Sequence, residues 1–207
     1  MGIAGKAMLG ETVMDGEAAA QKFCVKTPKF SFMRLEGADP VTGVEMASTG
    51  EVACFGKTFE EAFMKSLIAA DMNIPTSGSV LVTVGEKKGI ADIARKLADH
   101  YKIYATQHTA EELIKNKIKC ETLYKVSENK SPNILDCIVN REIDLIINFP
   151  SGEDGKTTED GYLIRRKAVE FGIPVITKME LLTKLVTAIE HPLNLNKMVD
   201  FESQTVQ

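Results

Sequence analysis

The stretch SVLVTVGEKKGIADIARKLADHYKIYAT, residues 79–106, reads as one strand–helix–strand unit. Val80 to Val84 is a short apolar run bounded by glycine, the pattern of a strand buried on both faces. From Gly89 to His100 the apolar residues fall at Ile90, Ile93, Ala94 and Leu97, the spacing of one helix face. Lys102 to Thr106 is strand again. A helix between two strands of one sheet makes the strands parallel, because parallel neighbours need a crossover.

The alternation continues toward the carboxyl end. A helix is expected from Ala110 to about Asn116, a weaker strand over Glu121–Lys125, and a helix marked by Ile134, Ile138 and Val139. Leu145–Ile147 is a buried strand, Asp160–Phe171 a helix, Val175–Thr177 a strand, and Leu181, Leu182, Leu185, Val186 and Ile189 stripe a last helix. Five strands in this order predict an α/β fold, a five-stranded parallel sheet with helices on both faces. Such sheets take ligands beyond the carboxyl ends of their strands. Four loops are thereby singled out: Gly85–Gly89, Thr106–Thr109, Lys125–Lys130 and Asn148–Asp160.

Upstream the pattern breaks. Asn73 to Ser79, with Pro75 and Gly78, is a turn-rich joint dividing an incomplete α+β segment, 1–75, from the α/β domain, 76–207. The first segment offers a strand pair, Lys22–Val25 and Lys29–Met33, interrupted at Pro28, whose ring removes a ladder donor. A turn follows at Glu36–Pro40. A helix then starts at Thr58, which caps it while Glu61 returns the bond, and buries Phe59, Phe63 and Leu67. So few apolar positions imply that the segment packs on the second part or on something outside the chain.

Composition narrows the function. At 207 residues, 44% hydrophobic and 26% charged, the chain has the make-up of a globular protein. A net charge of −4 supplies no basic field, so nucleic acid is not an expected partner. No run approaches the roughly 18 apolar residues of a membrane span, and no leader pattern follows Met1, so the expected location is cytoplasmic, with no membrane partner. Cys24, Cys54, Cys120 and Cys137 form no C-x-x-C pair and are expected as reduced, mostly buried thiols. His100, His108 and His191 are scattered, so no metal site is expected. Gly155-Lys156-Thr157 is not a phosphate-binding P-loop, because Pro150 stands where its first glycine belongs.

Each loop carries two readings. Thr106-Gln107-His108-Thr109 joins a strand to a helix, so its hydroxyls and the free amides of the helix start can face one anion. Thr109 with Glu112 also has capping-box spacing, and Glu111 and Glu112 then offset the helix dipole. Lys87 and Lys88 in a glycine-bounded turn, and Lys125 after the third strand, either neutralise an anion or keep a loop solvated. Asn148 and Ser151 either donate to a ligand or build the turn.

Phe30–Leu35 (FSFMRL), Gly37–Pro40 (GADP) and Glu45–Val52 (EMASTGEV) resemble the end of the second ATP-grasp unit of carbamoyl-phosphate synthetases. From about Ser79 to Glu190 the chain resembles the methylglyoxal-synthase-like allosteric domain that closes their large subunit. The resemblance implies that Thr106 and Thr109 bind the phosphate or carboxylate of a small anionic effector: a nucleotide, phosphoribosyl pyrophosphate or an acylated amino acid. It assigns further contacts to Lys87 or Lys88, to Lys125, to Asn148 with Ser151, and to Asp160. Arg165 and Arg166 also fit, with a structural role as the other reading. No catalytic residue is expected.

The complete synthetase makes carbamoyl phosphate from bicarbonate, ATP and glutamine-derived ammonia, for pyrimidine or arginine biosynthesis, and uses ATP with Mg or Mn. Those groups would precede Met1, so this chain is expected to hold no cofactor and to partner the remainder of the synthetase. Two departures leave the effector open. His108 stands where nucleotide-binding bacterial members have glycine, and the chain has no tryptophan, with Tyr124 where N-acetylglutamate binders use one. The alternative is a free-standing lyase acting on a triose phosphate, with only His108 and Asp160 as candidate bases.

Overall fold

The computed structural model describes residues 8–10, 23–41, 48–85, 89–150 and 159–191. In chain order its elements are β1 (Phe23–Lys29), β2 (Gly50–Gly56), α1 (Phe59–Ala69), β3 (Gly78–Val84), α2 (Ile90–Leu97), β4 (Tyr101–Thr106) and α3 (Gln107–Lys115). They continue with β5 (Glu121–Leu123), α4 (Ile134–Val139), β6 (Leu145–Phe149), α5 (Glu159–Phe171), β7 (Val175–Ile176) and α6 (Met179–Glu190). Short 3-10 turns lie at Phe32–Arg34 and Val126–Glu128.

The second part is the five-stranded parallel sheet, in spatial order β5-β4-β3-β6-β7. The chain enters at the centre with β3, winds outward to β5, and returns beside β3 as β6. This reversal leaves a crevice at the carboxyl ends of β3 and β6. Helices cover both faces because side chains alternate along each strand. Val80, Val82, Ile103, Leu145 and Ile147 pack with residues of α1, α2, α3 and α6. Leu81, Tyr104 and Ile146 point the other way, into a cluster with Ile134 and Ile138 of α4 and Ile164 and Ala168 of α5.

The first part departs from the expected strand pair. β1 runs unbroken through Pro28 and pairs antiparallel with β2, Pro28 lying opposite Glu51. A strand with one neighbour leaves alternate amides facing away from that neighbour, so a missing N–H is tolerated there. Phe30 to Met33 is not a strand; it leads into the 3-10 turn at Phe32–Arg34. The Thr58 cap forms, its hydroxyl accepting from the Glu61 amide at 3.2 Å. The Glu61 carboxylate reaches back one residue further than expected and accepts from the Lys57 amide at 2.8 Å. Phe63 and Leu67 are buried, and Phe59 stacks on Phe63 with ring centres 5.6 Å apart. With Met64 they join the same cluster as Val80, Leu185 and Val186, so this helix packs on the second part.

The joint before β3 is tightly built. Gly78 has φ +132°, a conformation that favours glycine. A side chain there would strike the Asp144 carboxylate, which accepts from the Ser79 amide at 2.8 Å. The Tyr101 hydroxyl donates to the Pro75 carbonyl, and burial pushes that phenol up to about 12. The cysteines are less buried than expected: Cys137 is buried, Cys54 and Cys120 are half-buried, and Cys24 is exposed on the ribbon of β1 and β2. A two-stranded ribbon has only one covered face, which sequence spacing did not disclose.

Candidate functional site

At the carboxyl ends of β3, β4, β5 and β6 lies a crevice of about 500 Å³, within the range of small-molecule sites. Its walls come from all four selected loops. Thr83 to Gly85 close β3, Thr106, His108 and Thr109 open α3, Lys125 and Ser127 follow β5, and Asn148 to Pro150 end β6. Asp160, Ile164 and Arg165 of α5 complete it.

The start of α3 differs from the expected cap. Thr106 is the N-cap residue and Thr109 already lies in the first helical turn, so Thr109 and Glu112 make no capping box. The helix thus begins three residues before the expected start at Ala110. Thr106 has the extended backbone of a cap, yet its hydroxyl takes no helix amide and instead reaches the Thr109 hydroxyl at 3.4 Å. The early amides of this helix have no partner within it. The first turn holds no acidic residue, so no carboxylate of that turn offsets the helix dipole. Both threonines are buried, at 4% and 1% exposure, so their hydroxyls sit where a bound anion would be shielded from water.

Charge is distributed unevenly around this point. The half-buried Lys125 has no hydrogen-bond or ion-pair partner for its ammonium among the described residues. The Asp160 carboxylate is engaged: it accepts from the Ser127 amide at 3.1 Å and the Ser127 hydroxyl at 2.6 Å, clamping the β5 loop to α5. His108 is exposed and stands 3.6 Å from the Glu111 carboxylate. The two candidate bases of the lyase reading are thus turned to neighbours.

Residues 89–177 match the family model described as an MGS-like domain. The chain is also 40% identical to the carbamoyl phosphate synthase large chain, C-terminal section, of Methanocaldococcus jannaschii, covering 91% of this chain and 33% of that protein. A protein of the same description from Methanopyrus kandleri is 45% identical over 80% of this chain and 31% of its own length. The chain matches the C-terminal section of carbamoyl phosphate synthase large chains. The undivided large chain of Archaeoglobus fulgidus shows 39% identity over 91% of this chain and 18% of that protein. The chain therefore spans a third or less of the curated synthase relatives it matches.

Of the residues singled out in the sequence, Thr106, Thr109, Lys125, Asn148 and Asp160 line one crevice. Lys87, Lys88 and Ser151 lie outside the described residues. Arg165 contributes to the wall and is wholly buried, while Arg166 holds the main chain of the first part, donating to the carbonyls of Phe32 and Leu35 at 2.9 Å each. Sequence reasoning missed Ser127, Thr83 and Asp39. Ser127 lacks a spacing signal, and Asp39 was visible only as part of a turn and of the GADP match.

Proposed function

We propose that this chain is the effector-binding regulatory section of a carbamoyl phosphate synthase, and that its crevice takes the phosphate or carboxylate of a small anionic effector. The observation that carries this reading is the convergence, at one end of a parallel sheet, of two buried threonine hydroxyls, a helix start with no side-chain cap and an ammonium with no partner among the described residues. Hydroxyls and helix amides fix the anion's oxygens while Lys125 neutralises its charge. Asn148 adds a donor, and Lys87 or Lys88 and Ser151 are proposed as further contacts to the same effector. Asp160 acts indirectly, by holding the Ser127 loop.

In this reading residues 76–207 form the regulatory domain, and 1–75 carry its state to the remainder of the synthase, the expected cytoplasmic partner. Ligation of bicarbonate, ATP and ammonia takes place on that partner. Among the described residues no group of three or more His, Cys, Asp or Glu side chains is placed to hold a metal, and in this reading ATP with Mg or Mn is bound by the remainder of the synthase. No helix among them is long and apolar enough to cross a membrane.

A thermal-shift screen of UMP, UTP, IMP, phosphoribosyl pyrophosphate, ornithine and N-acetylglutamate tests the proposal. An effector at one hundred times its dissociation constant is expected to stabilise the fold by about 2.7 kcal/mol. A panel in which the net-cationic ornithine stabilises and no phosphate or carboxylate anion does would contradict it.

A further inference from the structure

Arg165 has no exposed surface, and a charge so placed persists only when it is fully paired. Its Nε and Nη2 fork onto the carboxylate of Asp39 at 2.7 and 2.6 Å, and Nη1 donates to Asn148 Oδ1. Asp39 belongs to the first part of the chain and is about a quarter exposed. The same stretch is held by two more residues of α5, Arg166 and Tyr162, whose hydroxyl donates to the Gly37 carbonyl at 3.1 Å.

A guanidinium carries only donors, so Asn148 must present its amide oxygen to Arg165 and its NH2 elsewhere. That NH2 has no partner among the described residues, and no buried side-chain nitrogen or oxygen among them lacks one. Asn148 also lines the crevice, so an anion bound there can accept from that NH2. Reversing the amide would set two donors against each other at Arg165 and an acceptor against the anion.

We propose that Asp39, Arg165 and Asn148 form a relay coupling the anion crevice to the 32–39 stretch, with Arg165 a positioning residue that fixes Asn148 as a donor. This rests on the anion-binding role proposed above. Asp39 holds the guanidinium, the guanidinium sets the amide, and the amide meets the anion. Coupling is reciprocal, so an anion that strengthens the Asn148 contact must also hold the 32–39 stretch more tightly against α5.

The test is amide-resolved NMR on the whole chain with Asp39→Asn, Asp39→Glu and Arg165→Lys, using pyrophosphate as the probe. Without ligand, the Asn148 side-chain amide signals are expected to move in Asp39→Asn and Arg165→Lys and to return toward the original in Asp39→Glu. If Asp39→Asn does not fold, Arg165→Lys keeps the charge but has one ammonium where three bonds are made, and gives the same readout. With pyrophosphate, the dissociation constant is expected to rise about ten-fold in Asp39→Asn and Arg165→Lys. Unmoved Asn148 signals in a folded variant would overturn the relay while leaving the anion reading intact. No saturable shift at Thr106 and Thr109 in the unaltered chain would overturn the anion reading, and with it the coupling. Equal affinities in unaltered chain and variants would overturn the coupling alone.

Discussion

The ribbon of β1 and β2 and the five-stranded sheet meet the cost of ordering backbone in opposite ways. The sheet is buried on both faces, and Val80, Leu81, Val82, Leu145, Ile146 and Ile147 have no exposed surface. The ribbon has one covered face; Phe23 and Phe55 remain about half exposed, as does Leu35 after it. Its helix α1 places Phe63, Met64 and Leu67 in the core of the sheet, not in a core of its own. One region supplies its own burial and the other borrows it. The borrowed contacts lie at α6 on one face and at α5, beside the crevice, on the other, so the dependent region is also the one placed to sense the site.

The sharpest way to break this comparison is to cut the chain. Residues 76–207 are expected to fold cooperatively alone but to melt at least about 10 °C below the whole chain, since several buried side chains and the partner of Arg165 are lost. Residues 1–75 alone are expected to show no cooperative transition. Equal melting temperatures for 76–207 and the whole chain would show that the first part contributes nothing to the core.

Single substitutions sharpen the same contrast. Leu67→Ala, in the shared core, is expected to cost about 2–5 kcal/mol by chemical denaturation. Asp39→Asn, which leaves a buried guanidinium without its counter-charge, is expected to cost about 3 kcal/mol. Phe23→Ala on the exposed ribbon is expected to stay within about 0.5 kcal/mol. A large effect at Phe23 would mean that the ribbon's outer face is covered in solution.

A smaller effect concerns acid. The Lys65 ammonium and the Lys57 amide hold the Glu61 carboxyl below its usual range. A carboxylate whose folded value is depressed adds stability above the unfolded value, and that stability is lost as pH falls through the folded value. Glu61→Gln is therefore expected to lower the melting temperature slightly at neutral pH and to make steadily less difference as acid protonates the carboxyl of the folded chain. The Cys137 thiol, pushed up to about 11 chiefly by burial, is expected to resist alkylation until unfolding, while exposed Cys24 reacts at once.

The sheet was legible because its signal is local: each strand is a short apolar run, and each helix repeats its apolar residues at three and four. The loops that build the crevice followed from topology, since parallel strands put Thr106, Lys125 and Asn148 at the same edge. The ribbon was misread because Pro28 argues against a central strand, while an edge strand tolerates it. The start of α3 was placed late because Gln107, His108 and Thr109 carry no apolar periodicity, although Thr106 caps the helix by its backbone alone. Arg165 was noticed but not placed, for no spacing in sequence relates it to Asp39, 126 residues away.

The central claim is that the crevice binds an anion through hydroxyls that are not needed for folding. Calorimetry with the effector identified by the screen tests it on Thr106→Ala and Thr109→Ala. Neither hydroxyl caps the helix, so both variants are expected to keep the ligand-free melting temperature within about 2 °C, and each to lose about 1–3 kcal/mol of binding, the scale of a charge-assisted hydrogen bond. Unchanged affinity in both variants would contradict the account and reduce the two threonines to turn residues.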